Sequence, residues 1–219
     1  PVGYHNPSYR TPLCEYMYLY WHRRTLQARQ NPALSTAFGA AERNDSSLLP
    51  LFVLDDKILS HADGLRVAFM LGSLGSLRDW YRSHGSDLVI RHGAPTDVVG
   101  RIAQSVDAER VVWNDDSSRV ARRRDRAVQR ALARSDVAYT SVRTQPGGVD
   151  SATRLPPDPG SHLADPHALG VETGGIPRLS DLGDGDYDSA PLTVGTESAR
   201  RRLRALSNGR TYRRHDDAG

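Results

Sequence analysis

Five short apolar runs alternate along this chain with stretches in which apolar residues recur every three or four positions. The first run, at 16–21 (YMYLYW), is rich in aromatic residues and bounded by charge, which predicts a buried strand. Asn31-Pro32 opens a helix, since Asn can cap free N–H groups and Pro is tolerated at the first helical position. Leu34, Ala37, Phe38 and Ala41 give that helix one apolar side. A second strand is predicted at 48–54 (LLPLFVL), then a helix carried by Val67, Met70, Leu71, Leu74, Leu77 and Tyr81 and stopped at Gly85. The third strand is expected at 87–91, a helix at 95–106, the fourth strand at 110–113, a helix at 118–134 and the fifth strand at 137–142.

Five strand–helix alternations predict an α/β domain, a doubly wound five-stranded parallel sheet of Rossmann-like type with helices on both faces. The expected strand order is flavodoxin-like, with the reversal placed between strands one and four. Periodicity vanishes from 144 to 192, where seven prolines lie among many Gly and Asp, so this stretch reads as an extended linker. A last helix is expected at about 196–206, its Glu197 preceding Arg200, Arg201, Arg202 and Arg204 in the order a helix dipole favours. The predicted organisation is a tail at 1–14, the α/β domain at 15–143, the acidic linker at 144–192 and a further segment at 193–219.

Charge sharpens that division. The net charge is +3, but 144–192 holds eight acids and two bases, so it is −6 and the remainder is +9. Lys57 is the only lysine among 29 cationic residues. A basic globular part is compatible with a nucleic-acid partner without establishing one. The single cysteine, Cys14, excludes an internal disulfide framework and reads as a reduced thiol in a cytoplasmic protein. No apolar run is long enough to span a bilayer, and residues 1–10 lack the layout of a secretory signal. The chain begins at Pro1 rather than Met, which leaves its natural start open. The eight histidines show no ligand spacing, and no zinc or triad constellation is visible.

In an open doubly wound sheet, ligands bind beyond the carboxyl ends of the strands, where the strand order reverses. The polar clusters at those ends are Trp21-His22-Arg23-Arg24, Asp55-Asp56 and Asn114-Asp115-Asp116. They supply Arg donors, carboxylate acceptors and an aromatic wall, suited to a planar ligand with polar edges. The residues alone favour a plainer reading, loop charges that pair with one another.

The ordered motifs resemble those of the photolyase/cryptochrome family. Trp21-His22-Arg23-Arg24 with Leu26 and Asn31 resembles its opening motif. Leu51-Phe52-Val53-Leu54-Asp55 with Ile58-Leu59 resembles its second-strand motif, and Arg66, Phe69, Leu71, Ser73 and Leu74 the helix that follows. Gly85-Ser86-Asp87-Leu88, Gly93-Ala94-Pro95, Val112-Trp113-Asn114 and Ala121-Arg122-Arg123-Arg124-Asp125 continue the series in order, from about 16 to 142. The resemblance implies the antenna half of a light-dependent enzyme that repairs pyrimidine dimers in DNA. In that family a helical half holds FAD, which receives excitation from the antenna chromophore.

By resemblance, Asp55, Arg66 and Asp116 are the first candidates for chromophore contacts, with Arg23 and Trp21 behind them. Folate-type members carry Asn-Glu where this chain has Val120-Ala121, which favours a deazaflavin, or an empty site, over folate. The family's Asp-Leu-Arg and Asp-Asn are here Thr25-Leu26-Gln27 and Gln30-Asn31, so two acids and one Arg are lost from a segment whose charges would pair. Residues 144–191 lack the family's aromatic segment. Residues 177–182, then Thr196-Glu197, Ala199, Arg202-Leu203 and Tyr212, resemble the lead-in to the FAD-binding domain, whose own motifs do not follow. The chain alone is therefore expected to be inactive in repair and to bind damaged DNA weakly or not at all. A separate flavin-domain chain is a possible partner. A stand-alone module for a flavin- or nucleotide-like ligand and a non-functional remnant stay open as alternatives.

Two further signals remain. Arg119, Arg123, Arg126, Arg130 and Arg134 recur on one helix face, which fits a phosphate-binding stripe or a solvated outer face. The solvated face is the favoured reading, because no base-reading motif accompanies it. Gly72-Ser73-Leu74-Gly75 lies inside a helical pattern and is read as close helix packing rather than a phosphate loop.

Overall fold

The computed structural model describes residues 17–59, 64–143 and 155–182. Its sheet comprises β1 (Met17–His22), β2 (Ser47–Leu54), β3 (Val89–His92), β4 (Ala108–Asn114) and β5 (Ala138–Val142), all parallel. The crossovers are α1 (Pro32–Arg43), α3 (Gly64–Arg82), α4 (Pro95–Ser105) and α5 (Arg119–Arg134); a four-residue helix, α2 (Asp56–Leu59), precedes α3. Every strand and crossover helix expected from periodicity is present.

The strand order is β3-β2-β1-β4-β5. This corrects the flavodoxin-like expectation, in which β2 would lie at an edge and β3 beside β1. Burial explains the outcome. Seven of the eight β2 residues are buried, so β2 needs neighbours on both sides, whereas β3 has four residues and β5 alternates half-buried with exposed positions. The reversal still falls between β1 and β4.

Side-chain alternation divides the core in two. Tyr18 and Tyr20 face α1 and α3, packing with Phe38, Leu74 and Tyr81. Leu19 and Trp21 face α4 and α5, packing with Val99, Trp113, Val128 and Leu132. Caps fix the helix starts: Asn31 accepts the Leu34 N–H at 3.2 Å, and Ser118 accepts the Ala121 N–H at 3.2 Å.

Residues 155–182 form no strand or α-helix beyond two 3₁₀ turns (Pro159–His162 and Leu179–Leu182), yet they are packed along the domain. Leu163, Ala164 and Val171 are buried in the two cores. The Ala164 N–H donates to the Leu48 carbonyl at 3.1 Å, continuing the sheet where β3 has not yet begun. Leu48 and Pro50 share strand parity, so the N–H that proline lacks falls on this side, ahead of the β2–β3 ladder. Farther along, the Ile90 N–H donates to the Thr173 carbonyl at 2.7 Å, covering the outer edge of β3. The extended-linker expectation is thus corrected for these residues, which act as a strap. Cys14 and the helix expected at 196–206 lie outside the described residues.

Candidate functional site

A cleft of about 710 Å³ opens beyond the carboxyl ends of β1 and β2. Trp21, His22 and the loop from Arg23 to Gln27 form one wall. Phe52, Val53, Leu54, Asp55 and Leu59 form the floor at the end of β2. The first half of α3 contributes Arg66, Phe69, Met70 and Ser73, while Pro95 and Arg124 close the far side. Four arginines and one carboxylate, Asp55, therefore line a mainly apolar space. The volume is within the range of cofactor pockets.

Trp21 is the centre of the polar wall. The Arg23 guanidinium lies 5.1 Å from its ring centroid and that of Arg124 lies 5.5 Å away, both in cation–π range. Arg23 is held from behind: its Nη1 donates to Asp125 at 2.8 Å and to the Asn114 carbonyl at 3.2 Å. Its Nε and Nη2 are buried without a hydrogen-bond partner among the described residues, as is Arg124 Nε. Burial, then the charge of Arg23, lowers the Arg124 pKa. Burial pushes the Asp125 carboxyl up despite the guanidinium beside it. The cluster thus leaves three guanidinium N–H donors unpartnered, and Asp125 Oδ1 is likewise a buried acceptor without a hydrogen bond among the described residues.

The point of strand reversal itself is filled. Asn31 Oδ1 accepts from the Tyr20 hydroxyl at 2.8 Å and from Asn114 Nδ2 at 2.8 Å, and Asn114 Nδ2 also donates to the Tyr20 hydroxyl at 2.9 Å. This knot ties β1, β4 and α1 together, so the open space lies on the β2 side. His22 faces the opposite core: its Nε2 is 2.7 Å from the Tyr81 hydroxyl and its ring meets Tyr20 and Tyr81 edge to face. Burial lowers its pKa to about 3, so at neutral pH it is an uncharged packing residue.

The DNA photolyase family model matches residues 18–146. The chain belongs to this family. Among its photolyase relatives, the deoxyribodipyrimidine photo-lyase of Halobacterium salinarum is 34% identical over 92% of this chain and 48% of its own length. The chain thus spans about half of that relative. The fold of a bacterial class III photolyase from Agrobacterium tumefaciens matches 92% of this chain and 46% of that structure, with a TM-score of 0.66 at 19% identity. An archaeal photolyase from Sulfolobus tokodaii, described with two FAD molecules and a novel light-harvesting cofactor, matches 58% of this chain and 29% of its own, with a TM-score of 0.53 at 22% identity.

Within this photolyase fold, four of the five sequence candidates, Trp21, Arg23, Asp55 and Arg66, line the cleft. Asp116 does not. It accepts the Ser118 N–H at 2.9 Å and pairs with the exposed Arg24 at 3.4 Å, which places it behind the rim. Asp55 is partly spent on structure, since its Oδ1 accepts the Lys57 N–H at 3.1 Å. Arg124 and Phe69 also line the cleft, although the sequence marks them as motif residues without a role in binding. Arg124 had a readable signal: it precedes Asp125, which falls on the buried side of α5 with Ala121 and Val128. Phe69, 56% exposed at the cleft mouth, had none beyond its motif.

Proposed function

We propose that this chain is the chromophore-holding half of a photolyase-type protein and that the cleft beside Trp21 takes a planar light-harvesting cofactor, a deazaflavin in preference to a folate. The observation that carries this reading is the pairing of an aromatic and apolar enclosure with four arginines. Phe69 would flank the ring system, Arg124 and Arg66 would donate to its polar edge, and the buried Trp21 and Arg23 would back that wall. Asp55 would accept from a ring N–H or a side-chain hydroxyl. The bound group supplies absorption of light and transfer of its excitation. The protein orients it and excludes water. Val120, 73% exposed, and Ala121 stand where a folate-binding chain would offer Asn and Glu, which supports the choice against folate. Dimer repair in DNA and the use of FAD are assigned to the full-length photolyase rather than to this half alone.

Dinucleotide binding, suggested by the strand order, is the weaker reading. β1 is followed by Arg23-Arg24-Thr25 rather than a glycine-rich turn. Titration of the chain with a deazaflavin, a folate, FMN and NAD, followed by Trp fluorescence, separates these readings. Saturable deazaflavin binding is expected, weakened about tenfold by Arg124→Gln, which is about 1.4 kcal/mol. Binding of folate or NAD in preference, or of none of the four, refutes the proposal.

A further inference from the structure

The outer face of α5 carries a charge pattern that the cleft does not use. Seven of the helix's 16 residues are Arg, and its single acid, Asp125, is buried and paired with Arg23. Arg124 belongs to the cleft, and Arg122 anchors the preceding loop by donating to the Ser117 carbonyl at 2.9 Å and 2.6 Å. Arg119, Arg123, Arg126, Arg130 and Arg134 remain, and all five are exposed; Arg134 Nε donates to the Arg130 carbonyl of its own helix at 3.2 Å, which leaves its other N–H groups outward. At 3.6 residues per turn they fall within an arc of about 80°, centred opposite the buried Ala121, Val128 and Leu132. None of the five pairs with a carboxylate among the described residues.

We propose that this face of α5 is a contact surface for the phosphate backbone of double-stranded DNA. At 1.5 Å per residue, the row from Arg119 to Arg134 is a rigid line of cations about 22 Å long. A duplex presents about one phosphate per 1.7 Å of its axis, so a segment of that length offers ample partners. Guanidinium is suited to them, because it binds phosphate oxygens through two parallel N–H bonds. A merely solvated crossover face carries mixed signs, which relieve repulsion between neighbours four apart. Here Arg119/Arg123, Arg126/Arg130 and Arg130/Arg134 repel one another with no acid interposed.

A membrane surface fits less well. The apolar side of α5 is consumed by the core, leaving no face to enter lipid, and Val120 is the single large apolar residue exposed on the helix. Contact through phosphates alone implies binding that ignores base sequence, lesion and light. It runs against the expectation that the chain by itself binds DNA weakly or not at all, and it does not rest on the cleft's occupant.

The test uses the 219-residue chain and a labelled 30-bp duplex of random sequence, read by fluorescence anisotropy between 50 and 200 mM NaCl. Five phosphate contacts give a slope of log K against log salt of about −4.5. The triple variant Arg123→Gln/Arg126→Gln/Arg130→Gln should bind at least tenfold more weakly at 50 mM and flatten the slope by about 3, since each contact contributes about 0.9. Arg101→Gln, exposed on α4, should leave both unchanged. A circular-dichroism melt of the triple variant matching the parent ties the loss to the surface. No binding at 50 mM, a slope unchanged by the triple variant, or equal binding to poly-glutamate or phosphatidylserine vesicles would overturn the proposal. Because no chromophore enters the assay, its result is independent of the light-harvesting reading.

Discussion

At the residue scale, His22 couples the cleft wall to acid stability. Its ring is 1% exposed, and its pKa of about 3 lies far below the ordinary 6.5 because burial penalises the imidazolium, a weak bond from the ring to the Thr25 carbonyl opposing. A base whose folded pKa is depressed stays neutral in the fold while the unfolded chain takes up a proton. Stability is therefore full above pH 6.5 and falls as pH drops through the window down to about 3. At about 1.4 kcal/mol per pH unit the whole window amounts to roughly 4–5 kcal/mol. Asp87 acts only at the lower end. Burial alone would raise its pKa, but hydrogen bonds from Arg78 and Arg82 outweigh it and hold the carboxyl below 3.8. Urea unfolding of the parent and of His22→Gln at pH 7.5, 5.5 and 4.5 isolates the histidine. The parent should lose stability more steeply below pH 6, by about 1.4 kcal/mol per unit; parallel curves would show that His22 titrates in the folded protein.

At the scale of single elements, two glycines separate a required conformation from a dispensable one. Gly75 lies in the interior of α3, and a Cβ added there meets nothing within 4 Å. Close helix packing, the sequence reading of this segment, is therefore not the reason for Gly75. The Gly75→Ala variant should be more stable by about 0.5–1 kcal/mol, from helix propensity and reduced freedom of the unfolded chain. Gly174 is the opposite case. Its φ is +72°, and a Cβ would press into the Ile90 carbonyl as the strap crosses the edge of β3. There Gly174→Ala should cost roughly 2–3 kcal/mol, combining left-handed strain with displacement of the strap. Urea midpoints moving in opposite directions support both assignments. Two shifts of the same sign would mean that one of these local environments is wrong.

At the scale of the whole molecule, legibility followed periodicity. The runs around Leu19, Val53 and Val112 announce strands, and the spacing of Val67, Leu74 and Tyr81 announces a helix, because each pattern reports one buried face. Strand order was not written in any single run; it depends on how much of β2 and β3 is covered on both sides. Arg23 could be placed near the cleft from its position after β1, but its pairing with Asp125, 102 residues away, is a tertiary fact. The strap was the least legible part. Its buried aliphatic residues, Leu163, Ala164 and Val171, follow no period, and its backbone bonds close local turns apart from two that join it to strands, Ala164 N–H to the Leu48 carbonyl and Ile90 N–H to the Thr173 carbonyl. Composition alone therefore made it look like a tether. A substitution decides between tether and strap. In a solvated linker, Leu163→Ala would change stability by less than about 0.5 kcal/mol, as expected for the control Leu65→Ala at 60% exposure. In the packed strap Leu163 is 9% exposed and meets the α1 and α3 side of the core, so its truncation leaves a cavity and should cost about 2–4 kcal/mol. A chemical-denaturation midpoint for Leu163→Ala no lower than that of Leu65→Ala would remove the strap from the folded unit. It would also leave the outer edge of β3 and the Leu48 carbonyl near the start of β2 without the strap that covers them.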